Sequence, residues 1–135
     1  MSQKVSKEFS KHRLEQAKED LFDAELCYKN HRYKAANNRA YYAIFHAIRA
    51  VLALEGVDFK RHKDVIGYFN GHYIKNEIFP RKMNNKITQA SRIREDSDYD
   101  DEFIATDENT KVQIESAKEI IDLIENYLIQ KINEL

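Results

Sequence analysis

Arg92, Arg94 and Tyr99 lie close together in the second half of the chain, and their side chains could act on a phosphodiester. Cleavage of RNA through its own 2′-hydroxyl needs a base for that oxygen, an acid for the leaving 5′-oxygen and a cation for the phosphate charge. Arg94 could supply the cation, and Arg92 could bind a neighbouring phosphate. Tyr99 is a poor base at neutral pH, because a tyrosine ordinarily titrates near pH ~10. As a functional site, the trio would bind phosphate, with catalysis by Arg94 and Tyr99 as the alternative, although we favour structural ion pairs with the nearby aspartates.

The same residues also have a purely structural interpretation. The segment 96–103 is acidic and contains two aromatic residues, which predicts a loop. Its aspartates could pair with Arg92 and Arg94 and hold this loop to the rest of the fold. In that case Tyr99 would anchor the loop by packing its ring on the preceding helix.

The sequence gives no pattern typical of a metal site. His62 and His72 are ten residues apart, so they lack the one-turn spacing of a zinc-binding pair. The alternating aspartates from Asp96 resemble the start of a calcium loop, but Asp101 stands where that loop needs glycine. We therefore expect neither a metal nor another cofactor.

A second group of polar residues recurs every three or four positions and would form one stripe along a helix. It consists of Arg39, Tyr42, His46 and Arg49. As a functional site, Arg39, His46 and Arg49 would bind RNA phosphates or the carboxylate of a partner. As a structural feature, they would pair with acidic residues of the first or last helix, such as Asp20 or Glu115. We favour pairing, because partly buried arginine and histidine side chains generally have internal partners.

The helix that carries this stripe is otherwise apolar nearly all round. Alanines recur along it at steps of three and four, and they are Ala36, Ala40, Ala43, Ala47 and Ala50. Such small residues let a neighbouring helix approach closely, so the helix 33–54 is expected at the centre of a bundle. Gly56 would end it with a left-handed cap.

The remaining pattern predicts an all-α, up-and-down bundle of four to five helices in one domain, residues 1–135. The first helix would cover about residues 7–29, and a helix bent near Gly71 would lie within 60–79 and stop at Pro80. A fourth helix would cover about 84–96, and Thr106 would cap the last one.

Composition supports a helical protein outside the membrane. The 135 residues are 33% charged and 42% hydrophobic, include three glycines and one proline, and carry a net charge of −1. No apolar run approaches the ~18 residues that span a bilayer, and no signal peptide is recognisable. The single cysteine, Cys27, is expected to be reduced and buried. We therefore expect a cytoplasmic protein without membrane contact.

Basic residues concentrate between positions 32 and 86, which would suit a local nucleic-acid face. Phe59, Tyr68 and Tyr73 lie among these cations and could stack on unpaired bases. They could equally belong to the core. We assign Phe59 and Phe69 to the core and leave Tyr68 open.

Three segments in succession resemble the prokaryotic HEPN domain. They are Arg39-Ala40-Tyr41-Tyr42-Ala43-x-Phe45-x-Ala47, Gly56-Val57-x-Phe59-x-x-His62-x-x-Val65-Ile66-x-x-Phe69 and Arg92-x-Arg94-x-x-x-Asp98-Tyr99. The resemblance implies an α-helical domain that dimerises and that occurs beside a minimal nucleotidyltransferase in toxin–antitoxin pairs. It further implies metal-independent ribonuclease activity, as in many members, or adenylylation of a tyrosine by the partner, for which Tyr99 is suitably placed.

The chain departs from the family at one important point. Active members usually carry a histidine shortly after the arginine, and here no histidine follows Arg92 or Arg94. We therefore expect a homodimeric HEPN-type protein that binds RNA, a nucleotide or a nucleotidyltransferase and is catalytically weak or silent. A metal-independent ribonuclease toxin that uses Arg94 and Tyr99, assisted by His46, is the alternative.

Overall fold

A computed structural model describes residues 2–135, which form five α-helices and one π-helical turn. The helices are α1 (Gln3–Lys29), α2 (Tyr33–Leu54), α3 (His62–Phe69), α4 (Arg81–Tyr99) and α5 (Asp107–Asn133), with the π-helical turn at Asn70–Ile74. The described part of the chain contains no strand. The predicted all-α bundle is therefore confirmed. Within residues 2–135, no helix is both long and apolar enough to cross a membrane.

Helix α2 lies at the centre of the bundle and packs against α1, α3, α4 and α5. The five alanines of its seam are at most 1% exposed. Their small side chains bring the neighbouring backbones close, since the hydroxyl of Ser10 on α1 donates to the carbonyl of Ala50 at 2.7 Å. The expected central position of α2 is confirmed.

Larger apolar side chains fill the space on the other sides of α2. Ile44, Ile48 and Leu52 are at most 1% exposed. They belong to one core cluster with fully buried residues of the other helices, namely Val65, Phe69, Ile87, Ile120, Ile124 and Leu128. Phe69 is thus a core residue, as predicted.

The predicted helix ends are largely confirmed. Gly56 has a φ of 76°, a left-handed conformation that suits glycine at the end of α2. Thr106 accepts a hydrogen bond from the N–H of Asn109 at 3.1 Å and so caps α5. The predicted bend near Gly71 is the π-helical turn.

Helices α1 and α4 are longer than predicted. Helix α1 begins at Gln3, because Ser2 caps it and the small residues Ser6 and Ser10 pack inward. Helix α4 begins directly after Pro80 and continues to Tyr99, so the predicted acidic loop at Asp96 is wrong over its first four residues.

The last turn of α4 is helical for a physical reason. Arg94 and Asp98 stand one turn apart and form an ion pair, with Nε and Oδ2 3.7 Å apart. Ser97 of the same turn is buried. Two other burial expectations are wrong. Phe59 is 39% exposed rather than part of the core, and Cys27 is only half-buried.

Enlarging an alanine of the seam should disrupt this packing. We expect Ala43→Leu to lower the free energy of unfolding by about 1–3 kcal/mol, because Ala43 is 0% exposed and extra methylenes would push α2 away from its neighbours. Urea unfolding of the variant and wild type measures this change. The half-buried Ala35 of the same helix provides the matched control, and Ala35→Leu should cost much less. Equal stability of Ala43→Leu and wild type would contradict close packing at the seam.

Candidate functional site

The polar stripe of α2 is half-buried and has two ends with different partners. It consists of Arg39, Tyr42, His46 and Arg49. Arg39 and His46 face Asp20 of α1, whereas Arg49 pairs with Asp58 in the segment between α2 and α3. The predicted pairing with Asp20 is confirmed. The expectation that Arg49 would pair with the first or last helix is wrong, because the segment after Gly56 brings Asp58 to it.

The first end of the stripe is a partly buried cluster around Asp20. Arg39 Nη1 lies 3.1 Å from Asp20 Oδ1, and His46 Nε2 lies 3.6 Å from Asp20 Oδ2. Burial raises the pKa of Asp20, although Arg39 opposes the shift. Burial lowers the pKa of His46 to about 4, and nearby arginines, Arg49 foremost, add to the effect. His46 is therefore neutral at pH 7, and its contact with Asp20 is not an ion pair.

The second end is built around Asp58. Arg49 donates to both carboxylate oxygens, from Nε at 3.3 Å and from Nη2 at 2.9 Å, and Arg13 of α1 donates at 3.4 Å. Burial alone would raise the pKa of Asp58, but the hydrogen bonds and charge of Arg49 outweigh it, so the pKa is lowered. The carboxylate also accepts the N–H of Phe59 at 2.9 Å. Asp58 therefore fixes the segment between α2 and α3 against two helices.

Arg94 of α4 meets a histidine that is distant in sequence. Its Nη1 lies 3.3 Å from Nδ1 of His62, the first residue of α3. Its guanidinium lies over the rings of Tyr41 and Tyr42, 4.9 and 5.4 Å from their centroids. Arg94 Nε is buried and, among the described residues, has no hydrogen-bond acceptor, because Asp98 is 3.7 Å away. The cation is thus held by two aromatic rings and His62, with its buried Nε left without an acceptor.

His62 is oriented by aromatic residues of α2. Its ring stacks on Phe45 with centroids 4.0 Å apart, and its Nδ1 lies 3.0 Å from the hydroxyl of Tyr41. Because Arg94 can only donate, Nδ1 must carry the lone pair, and the proton of the neutral ring is on Nε2. Burial lowers the pKa of His62, and Arg94 and Arg49 lower it further. His62 is therefore available as a base near neutral pH.

An open groove of about 390 Å³ borders His62. It is lined by Phe45, Arg49, Asp58, Phe59, Lys60 and His62. The lining combines the cation of Lys60, the Arg49–Asp58 ion pair and neutral His62 with the exposed ring of Phe59, a set that can contact a phosphate and a planar base. A second hollow of about 640 Å³ lies at the other end of the stripe and includes Arg32, Lys34, Arg39 and Asp98.

The structure brings together only some of the residues singled out from the sequence. Arg94 and the α2 stripe meet around His62 and Tyr42. Tyr99 is 87% exposed at the end of α4, so its ring does not pack on that helix as predicted. Within residues 2–135, neither Tyr99 nor the exposed Arg92 forms an ion pair with Arg94, and neither makes a side-chain hydrogen bond to it. The expected pairing of arginine with a nearby aspartate is confirmed for Arg94 alone.

His62 is a candidate site residue that the sequence patterns did not predict. With His72 it lacks the spacing of a zinc-binding pair, and the family motif places its histidine after Arg94 rather than before it. A signal was present, because His62 lies within the motif that begins at Gly56 and is flanked by Lys60 and Lys63. The contact between His62 and Arg94 was not predicted because the two residues are far apart in the sequence.

Comparison with known proteins agrees with the fold. The family model described as HEPN domain matches residues 10–127. The crystal structure of ST0689, an archaeal HEPN homologue, superposes with a TM-score of 0.70 at 17% identity and covers 88% of this chain and 97% of that one. At this identity, the match supports the fold alone.

Two relatives show higher identity. A UPF0332 protein from Thermotoga maritima is 32% identical over 112 residues, which cover 83% of this chain and 85% of that protein. MJ0605 from Methanocaldococcus jannaschii, whose name describes it as a candidate toxin, is 36% identical over 104 residues, or 76% and 73% of the two chains.

The buried His46 should give the protein a specific dependence of stability on pH. The unfolded chain binds a proton at this histidine near pH 6.5, whereas the folded chain binds it only near pH 4. The unfolded state therefore binds more protons in this range, and His46 should lower the free energy of unfolding by about 2 kcal/mol between pH 7 and pH 5. In His46→Gln, that part of the loss should be absent.

Urea unfolding at both pH values measures the difference. The exposed His12 of α1 supplies the matched control, since His12→Gln should keep the wild-type loss. The same loss in His46→Gln and wild type would show that His46 is not held neutral by burial.

Proposed function

The chain belongs to the HEPN domain family, and from this premise we propose that it is a metal-independent endoribonuclease of a toxin–antitoxin-like module. The observation that carries the proposal is the contact between Arg94 and His62. It supplies from α3 the histidine that is absent after Arg94 in the sequence. For this reason we favour cleavage over the catalytically silent binding module that the missing histidine suggested.

The proposed reaction uses His62 as base and Arg94 as the phosphate-binding cation. The scissile phosphate accepts donors from Arg94 and draws its guanidinium away from His62. The Tyr41 hydroxyl, which also faces Nδ1, rotates its proton away. Nδ1 of His62 then takes the proton of the ribose 2′-hydroxyl, and the 2′-oxygen attacks phosphorus. The bond to the 5′-oxygen breaks, and that oxygen takes a proton from a water molecule in the open groove. The hydroxide left behind takes the proton that His62 had accepted, which restores neutral His62. The products are a 2′,3′-cyclic phosphate and a 5′-hydroxyl.

Further cations would hold the RNA strand on both sides of the reacting phosphate. Arg49 and Lys60 line the groove beside His62, and Arg39 lines the second hollow. Arg39 and Arg49 are ten residues apart on one helix, which corresponds to about 15 Å along its axis. The α2 stripe therefore has the length to follow several nucleotides of cytoplasmic RNA.

We also propose that a minimal nucleotidyltransferase is the partner and Tyr99 the residue it modifies, and that the protein forms a homodimer. The support for modification is the 87% exposure of Tyr99, which leaves its hydroxyl within reach of another protein. An adenylate at Tyr99 would place a negative phosphate next to Asp98, and so close to the charge pair of Arg94. Tyr99 is then a control point rather than the catalytic base.

Substituting either member of the His62–Arg94 pair should abolish cleavage. With chelator present, wild type should cut a mixed RNA substrate, and His62→Ala or Arg94→Ala should slow cleavage by about a hundredfold or more. Product analysis should reveal 2′,3′-cyclic phosphate ends. His12→Ala, a change at an exposed histidine of α1, is the matched control and should retain full activity.

Three results would contradict the proposed nuclease. They are the absence of cleavage by freshly folded wild type, a cleavage rate that depends on added divalent metal, and full activity of folded His62→Ala. Circular dichroism and urea unfolding of each variant separate loss of activity from loss of structure.

The proposed modification has its own test. A nucleotidyltransferase encoded beside this gene, supplied with ATP, should add one adenylate to the tryptic peptide that contains Tyr99, as measured by mass spectrometry. Tyr99→Phe should prevent the addition, whereas Tyr33→Phe, a change at a half-buried tyrosine of α2, should not. An unmodified Tyr99 peptide, in the presence of a transferase shown to be active on another protein, would rule out this role.

A further inference from the structure

Building on the proposed function, we infer that Phe59 forms a base-binding subsite beside His62 and that the substrate is therefore unpaired RNA. The subsite comprises the exposed ring of Phe59 together with Arg49 and Lys60, which line the same groove. A nucleotide bound there would stack its base on Phe59 and present its phosphate to the cations. No base-specific hydrogen bond is required, so the subsite would accept different bases.

The first observation is the exposure of Phe59. Its ring is 39% exposed, whereas Phe45, Phe69 and Phe79 are at most 4% exposed. Exposure alone is not distinctive, because Phe9 and Phe22 of α1 are 47% and 66% exposed. Phe59 is distinguished by its position, since its ring lines the groove that also contains Lys60 and His62.

The second observation is that Phe59 is held rigidly despite lying outside a helix. Its N–H donates to Asp58 at 2.9 Å, and the same carboxylate is fixed by Arg49 and Arg13. On its other side the ring contacts Tyr68, with centroids 5.6 Å apart and planes inclined at 48°. The ring is thus oriented before any ligand arrives, which reduces the entropy lost on binding.

Tyr68, which contacts Phe59, is itself held by a further aromatic contact. It stacks on His72 with centroids 4.0 Å apart and planes inclined at 24°. The row of Phe59, Tyr68 and His72 follows one side of α3 and the π-helical turn. Neighbouring cations in the sequence are Lys60, Arg61 and Lys63. Interleaved aromatic and basic side chains are typical of surfaces that bind single-stranded nucleic acid.

The combination favours unpaired RNA over a duplex. In a duplex the bases are stacked on one another, so a base face becomes available to Phe59 only where the strand is single. The proposed cleavage also requires a single strand. The 2′-oxygen, phosphorus and 5′-oxygen must align for the attack, and a regular duplex resists this alignment. Binding and chemistry therefore select the same substrate class.

The test measures binding separately from cleavage. The probe is a fluorescein-labelled, mixed-sequence 2′-O-methyl RNA, which cannot react because its 2′-oxygen has no proton, and its affinity is followed by fluorescence anisotropy. Phe59→Ala should weaken binding of the single strand about tenfold, and Phe59→Trp should retain wild-type affinity. Phe22→Ala, a change at an exposed phenylalanine of α1, is the matched control and should have no effect. Wild type should bind the corresponding duplex at least tenfold more weakly, by the loss of the same stacking contact.

The outcomes distinguish this inference from the proposed nuclease. If wild type cleaves unmodified RNA and Phe59→Ala binds the probe as tightly as wild type, the subsite is refuted and the nuclease stands. If Phe59→Ala loses binding and Phe59→Trp restores it, but wild type cleaves no RNA, the subsite stands and the nuclease is refuted. Equal affinity of wild type for the single strand and the duplex would overturn the assignment of unpaired RNA.

Discussion

The close packing of α2 against its neighbours is the constraint on which the rest of the structure depends. The five alanines of the seam leave room for the neighbouring backbones, as the hydrogen bond from Ser10 to the carbonyl of Ala50 demonstrates. Because α2 is enclosed on nearly every side, its few polar residues must share a narrow stripe. That stripe faces the start of α3 and the second half of α4. The packing that buries the helix therefore also decides where charged groups can meet.

Two arginine–carboxylate contacts then fix parts of the chain that packing alone would leave loose. Asp58 joins the segment before α3 to Arg13 of α1 and Arg49 of α2. Its side chain is 49% exposed, so such pairs contribute little stability, typically ~1 kcal/mol or less. Their consequence is geometric, because a carboxylate held at both oxygens orients the backbone that follows. The result is a fixed Phe59 and a fixed start of α3, where His62 lies.

The fold can be predicted from the sequence because its core residues recur at regular intervals. The candidate site cannot, because its residues follow no regular spacing. Alanines every three or four residues identify α2 because a helix repeats its faces at that interval, and Gly56 and Thr106 mark helix ends through local chemistry. Acidic composition predicts a loop at Asp96, but Arg94 and Asp98 form an ion pair one turn apart within α4. Hydrophobicity predicts a buried Phe59, because it does not distinguish a buried ring from an exposed one. The contact between His62 and Arg94 joins two helices, and no local pattern predicts it.

In the proposed function, His62 and Arg94 supply from two helices the chemistry that the family motif supplies from neighbouring positions. Proton transfer and charge stabilisation depend on where a base and a cation stand in space, so they can come from different helices. Here Tyr41 links the two, since its hydroxyl contacts His62 and its ring lies under Arg94. The aromatic rings hold the guanidinium without neutralising it, and its buried Nε has no acceptor among residues 2–135. A buried donor without a partner is costly. In the proposed reaction the phosphate draws the guanidinium away from His62, and this movement would give Nε an acceptor.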